Sequence, residues 1–200
     1  MAVTEALPFE PSKQLTFVCE VIAAIAVGCI NANETVAAWK FAIEHTSGPV
    51  ALLLTRQKLP TIDRTKYPSA DNIIKGAYIL VENSATPELI LIGTGSEVQL
   101  ALGAYEQLVT EGVKARVVSM PSWELFERQS KEYRDSVLPP NVKKRIAVEA
   151  LITMGWEKYV GDAGRIIGMT SFGASAPVDV IFKHFGFTVE NVVKTAKEML

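Results

Sequence analysis

Arg56 is the residue whose type and position most invite chemistry. It stands just past the apolar run Val50-Ala51-Leu52-Leu53-Leu54, in the segment Thr55-Arg56-Gln57. A guanidinium presents a rigid fork of donors that fits a phosphate or carboxylate, and parallel α/β sheets place ligand groups at the carboxyl ends of their strands. On position alone, an ordinary surface or ion-paired arginine is the better account. Gly93-Thr94-Gly95-Ser96 follows a strand pattern and opens a helix pattern, so free amides and the positive end of a helix dipole are offered to an anion. It is only half of a dinucleotide fingerprint, because Val98 stands where the third glycine belongs, and no Gly-Lys-Ser/Thr follows to make a P-loop. A tight strand-to-helix turn explains it better. Glu149, in Ala147-Val148-Glu149-Ala150, ends a strand where a general acid or base could sit. No His, Cys or second carboxylate is obviously placed beside it, so an ion pair or a cap contact is favoured.

Metal and disulfide chemistry find little support. The two cysteines, Cys19 and Cys29, form no Cys-x-x-Cys pair, and His45 and His184 are far apart, which suits a reducing cytoplasm. Twenty Lys and Arg against twenty-two Asp and Glu leave a net charge of −2 in 200 residues. That balance lacks the basic excess by which nucleic-acid binders neutralise phosphates. With 48% hydrophobic and 21% charged residues, the composition is that of a packed globule. The longest apolar stretch, 21–30, is too short to cross a hydrocarbon core of roughly 30 Å. The acidic residues before it (Glu5, Glu10, Glu20) argue against a secretory signal. No membrane association is expected.

The elements that would position these residues fall into segments. Residues 1–30 form an atypical leader, polar and proline-containing at first (Pro8, Pro11) and then apolar, compatible with a strand or a buried helix. In 31–60, Asn33 is a natural N-cap, and Val36, Trp39 and Ile43 share one helix face. Gly48-Pro49 ends that helix, and the apolar run from Val50 reads as a strand of a parallel sheet covered on both faces. Residues 61–72, with Pro68, Asp63 and Asp71, read as a linker. From 73 to 200, strands at 88–92, 113–119, 145–149 and 166–171 alternate with helices at 96–110, 122–129, after Trp156, at 177–185 and at 188–199. Ser96-Glu97-Val98-Gln99 matches a capping box, and Thr188 caps the last helix. Trp123, Phe126 and Trp156 read as core or interface aromatics. The alternation predicts a three-layer α/β/α sandwich with a mainly parallel sheet, preceded by a partial α/β segment.

Taken together, several stretches resemble the C-terminal third of transketolase. They are Asn33-Glu34-Thr35-Val36-Ala37-Ala38-Trp39-Lys40, Leu54-Thr55-Arg56-Gln57-Lys58-Leu59-Pro60, Ile92-Gly93-Thr94-Gly95-Ser96-Glu97, Arg116-Val117-Val118-Ser119-Met120-Pro121, Ser136-Val137-Leu138-Pro139, and the run from Gly168 to Pro177 that contains Phe172-Gly173-Ala174-Ser175-Ala176. The resemblance covers about 31–200, in family order and at family spacing. It implies that 31–60 is a remnant of the pyrimidine-binding domain of a thiamine enzyme and that 73–200 is the transketolase C-terminal domain. It also implies that Arg56, matching the arginine of the family's Thr/Ser-Arg-Gln motif, binds the terminal phosphate of a sugar phosphate. That role replaces the ordinary surface arginine favoured by position alone.

The family reaction moves a two-carbon ketol unit between sugar phosphates with thiamine diphosphate and a divalent metal. This sequence departs from the family where that cofactor is bound. Gly161-Asp162-Ala163 resembles the start of the diphosphate–metal motif but lacks its third glycine and the downstream Asn pair, so it reads as a turn. The leader does not match the pyrimidine domain, and Glu20 does not correspond to the glutamate that activates the cofactor ring. No catalytic, cofactor-binding or metal residue is therefore assigned in this chain, and Arg56 is the one substrate-binding assignment. The expectation is a truncated or fused product, or a chain with a foreign leader, catalytically incompetent alone and acting as a structural or interaction domain. It would self-associate or join the missing transketolase domains. One subunit of a split thiamine-diphosphate enzyme, and a nucleotide- or anion-binding module using Gly93 to Ser96, are the alternatives.

Overall fold

The computed structural model describes residues 25–28, 31–55 and 58–200. Arg56, Gln57, Cys19, Cys29 and Glu20 lie outside the described residues. Two sheets are present among them. The smaller pairs β1 (Ile25–Gly28) in parallel with β2 (Val50–Leu53), joined through helix α1 (Ala32–Glu44). The larger has five strands, β3 (Tyr78–Glu82), β4 (Leu89–Gly93), β5 (Ala115–Ser119), β6 (Arg145–Ile152) and β7 (Arg165–Met169), in the order β3-β5-β4-β6-β7. β5, β4, β6 and β7 run parallel, and β3 is antiparallel at one edge. Helices α2 (Val98–Thr110), α3 (Trp123–Glu127), α4 (Lys131–Val137), α5 (Glu157–Val160), α6 (Val178–Phe185) and α7 (Val189–Met199) connect and cover the sheet.

Side chains of a strand alternate between faces, and β4 shows the consequence. Leu89 and Leu91 join a core built with α2 and α7, whereas Ile90 and Ile92 join a second core with Phe126, Trp156 and Tyr159. Every residue of β4 and β5 is buried between the two helical layers, Arg116 and Ser119 of β5 included. In the second core, Trp123 stands edge-on to Trp156 at 5.0 Å between ring centroids. The first core also takes in Ile25, Val27, Ala37 and Ala38, so the small sheet and its helix share the hydrophobic interior of the large one.

Several local expectations are revised. The cap of α1 is Asn31, whose side-chain oxygen accepts from the amides of Asn33 and Glu34. Val36, Trp39 and Ile43 do share a face, but it is the exposed one; α1 buries Glu34, Ala37 and Ala38 instead. Ser96 does not cap α2. A short 3₁₀ turn, Gly95–Glu97, precedes the helix, and the Ser96 hydroxyl donates to Glu97 Oε1 at 2.6 Å. Within 61–72, Ile62 is buried, Asn33 Nδ2 donates to its carbonyl at 3.2 Å, and a 3₁₀ helix starts at Ala70. That stretch is therefore packed against its neighbours. Strand β3 and helix α4 are additions to the pattern expected from the sequence. No described helix is long and apolar enough to cross a membrane.

Candidate functional site

The chain leaves β4 toward β5 on one side of the sheet and returns as β6 on the other, so the strand order reverses between β4 and β6. In open α/β sheets, the crevice beyond the carboxyl ends of the strands at such a point is where ligands bind. Here the crevice begins at Gly93, where a Cβ would come within 2.8 Å of the Val98 Cα. Only glycine lets α2 start so close above the strand. Gly95 follows with a φ of +52°, a conformation that favours glycine.

Glu97 occupies this crevice itself. It is 4% exposed, and burial pushes its carboxyl up against the opposing help of the Ser96 hydroxyl and of the backbone amides of Glu97 and Ala150. Beside it, Glu149 on β6 is pushed up to about 8, first by burial and then by the charge of Glu97. Glu149 pairs with Gly168 of β7, and the β6–β7 register shifts between Glu149 and Ile152. The sequence pattern ends this strand at Glu149, but β6 runs on through a register shift to Ile152, so Glu149 lies within the strand and not at its end. Because a carboxylate already lies at the start of α2, the anion-binding reading of Gly93 to Ser96 loses its main attraction.

A second polar cluster joins the small sheet to the large one. Glu34 of α1 is fully buried, and the Tyr78 hydroxyl donates to its Oε1. The Ser119 hydroxyl donates to the same oxygen at 3.5 Å, and Arg64 Nη2 lies 3.9 Å away. Burial, followed by the charge of Glu34, raises the ionisation of Tyr78 well above the phenol range. Nearby, the Gly28 amide donates to the Pro121 carbonyl at 2.8 Å, and a Cβ on Gly28 would lie 3.0 Å from Thr94 Oγ1. The carboxyl end of β1 thus abuts the loops at the carboxyl ends of β4 and β5. Arg56 follows β2 by three residues in sequence and is outside the described residues.

A third feature is an open groove of about 790 Å³ lined by Ala150, Leu151, Ile152, Thr153, Met169 and Phe172 among others. Leu151 and Ile152 are 60% exposed and Phe172 is 99% exposed. The described residues do not fit a metal-bound diphosphate. No three His, Cys, Asp or Glu side chains among them stand together, and Asp162 sits in an exposed turn after α5.

Comparison with known proteins supplies the context for this arrangement. Residues 76–188 match the family model of the transketolase-like TK C-terminal domain. Transketolase 1 of Escherichia coli K12 is 55% identical over 167 residues, covering 84% of this chain and 25% of that protein. The chain spans about a quarter of the length of the curated relatives it matches. Among solved structures, a Pichia stipitis transketolase in complex with sedoheptulose-7-phosphate superposes with a TM-score of 0.81 at 39% identity, over 94% of this chain and 26% of that one. A split-gene transketolase described as an inactive β4 tetramer shares the fold, with a TM-score of 0.65 at 20% identity over 88% of this chain and 57% of its own. The sheet order, the turn at Gly93 and the matched residues lead to one assignment: the chain belongs to the transketolase family and corresponds to the C-terminal part of those enzymes.

Proposed function

We propose that this chain is the C-terminal module of a transketolase whose complete form transfers a two-carbon ketol unit between sugar phosphates. The observation that carries the reading is the coverage: most of this chain aligns with a quarter of its relatives. In the complete enzyme, thiamine diphosphate and a divalent metal would supply the carbanion chemistry from the remaining three quarters. The module would supply a scaffold and the Arg56 guanidinium for the terminal phosphate of the sugar. By itself it is catalytically incompetent and acts in the cytoplasm as a structural and interaction domain. In domain terms, 31–60 is the end of a pyrimidine-binding domain, 61–72 a connection and 73–200 the C-terminal domain, with 1–30 a leader outside the family pattern.

Two exposed apolar faces support an interaction role: Val36, Trp39 and Ile43 on α1, and the groove at Leu151, Ile152 and Phe172. Apolar patches of this kind mark contact surfaces. The module therefore docks onto the missing transketolase domains or onto a second copy. A solved split-gene transketolase chain of the same fold carries the description of an inactive tetramer, which favours self-association of such a piece and keeps the split-enzyme reading as the alternative. Calorimetric titration of the purified chain with thiamine diphosphate and magnesium tests the reading. No saturable heat is expected, and a stoichiometric isotherm refutes it.

A further inference from the structure

Helix α1 has two opposite faces. Glu34, Ala37 and Ala38 are buried on the inner one, and Phe41 packs there against the core. Ala32, Val36, Trp39 and Ile43 are exposed on the outer one, the last three by 71%, 53% and 76%. At 3.6 residues per turn, those four outer positions fall within an arc of about 60°. Steps of four, three and four residues separate them, which is the narrow seam of a two-helix coiled coil and not the wider stripe of a helix lying on a core. The seam carries no charge: Glu34 is buried on the inner face, and the other charged residues of α1 are Lys40 and Glu44.

The seam is complementary to itself. When two copies of α1 lie antiparallel, with a twofold axis level with the bond between Ala37 and Ala38, Val36 of each meets Trp39 of the other. Ala32 of each then meets Ile43 of the other, so both layers set a small side chain against a large one, as close packing requires. The same register puts Glu44, in the last turn of one helix, level with the first turn of the other, where negative charge is favoured. It puts Lys40 level with the uncharged Thr35. We propose that the outer face of α1 is a homodimer interface, in which α1 pairs antiparallel with α1 of a second copy of this chain. This rests on the interaction role proposed above and names the partner of that face. The seam side chains and the stems beside them expose roughly 500 Å² per copy, so pairing buries about 1,000 Å², the lower bound of a specific interface. The dimer is therefore reversible and its population follows concentration. An isologous contact of this kind closes at two copies and adds no further ones through α1.

Sedimentation velocity of the full chain over a concentration series tests the pairing, together with two variants that charge the seam. One carries Val36→Glu and Trp39→Glu, the other Val36→Lys and Trp39→Lys. The unmodified chain is expected to associate, and each variant alone to do so at least tenfold more weakly, because like charges then face one another across the axis. An equimolar mixture of the two variants is expected to recover the association, since each glutamate then meets a lysine of the other copy. Both variants should keep the urea midpoint of the unmodified chain, because the replaced side chains face solvent. An unmodified chain that stays monomeric at every concentration overturns the proposal and leaves the outer face of α1 to the missing transketolase domains, with the family assignment untouched. Association that neither variant weakens, or a mixture no better associated than its components, overturns it as well. A variant that unfolds is replaced by Ile43→Glu, which must weaken association by the same criterion.

Discussion

Replacing Tyr78 with Phe isolates the link between the small sheet and the large one. The ring stays, so the apolar burial of a residue only 3% exposed is retained, and the change removes the hydroxyl that donates to Glu34. Glu34 is fully buried, and the contacts that Ser119 makes with it at 3.5 Å and Arg64 at 3.9 Å are long. A hydrogen bond to a charged buried acceptor is worth about 1.5–3 kcal/mol. Tyr78→Phe should therefore cost about 2 kcal/mol of unfolding free energy, read as a lower urea midpoint with an unchanged slope. Combining it with Glu34→Gln closes a double-mutant cycle whose coupling should exceed about 1 kcal/mol, because the two groups act as one contact. Amide exchange at Ala37 and Ala38 should speed up in Tyr78→Phe more than exchange in β4 does, since α1 is the element released. A loss below about 0.5 kcal/mol, or additive single effects, would refute the reasoning.

Two further predictions test the crevice and the exposed surface. Glu149 is held up to about 8 in the folded chain against an ordinary value of 4.5, so between those values the folded state keeps a proton that the unfolded chain has lost. Stability should then fall by up to about 1.4 kcal/mol per pH unit from about pH 4.5 to about pH 8 and level off above. Urea melts of Glu149→Gln should lack this slope, and an unchanged slope contradicts the assignment. Phe172→Ser together with Leu151→Asp should leave stability within about 0.5 kcal/mol, because both side chains already face solvent. It should also lower the association seen by sedimentation velocity across a concentration series, and a wild-type chain that stays monomeric throughout contradicts the docking role.

What the sequence disclosed follows from how each element is buried. β4 was legible because a strand covered on both faces is an unbroken apolar run, as in Leu89-Ile90-Leu91-Ile92, and β5 because Val117-Val118 keeps that character beside the buried, ion-paired Arg116. β3 is harder to see because an antiparallel edge strand alternates: Tyr78 and Leu80 are buried while Ile79 and Val81 between and after them are only half-buried. For α1 the period of Val36, Trp39 and Ile43 announces a helix, but period does not say which side meets the core. The side that does so carries two alanines and a buried glutamate, residue types that a hydrophobic stripe does not flag. Glu149 could be picked out as an acidic residue in an apolar strand, although β6 runs on to Ile152. Its partner Glu97 could not, since 52 positions separate them and only the pairing of β4 with β6 brings them together. The groove at Leu151 and Phe172 was equally hidden, because it forms where β6 runs on past Glu149 beside β7.

Ketol transfer between sugar phosphates, with thiamine diphosphate and magnesium present, addresses the central claim most directly. The purified chain should give no turnover alone, and turnover should appear on adding a separately purified transketolase piece that lacks this module, with Arg56→Ala in this chain raising the KM for phosphorylated sugars. Turnover by the chain alone, or a mixture that stays inactive although the two pieces bind, would contradict it.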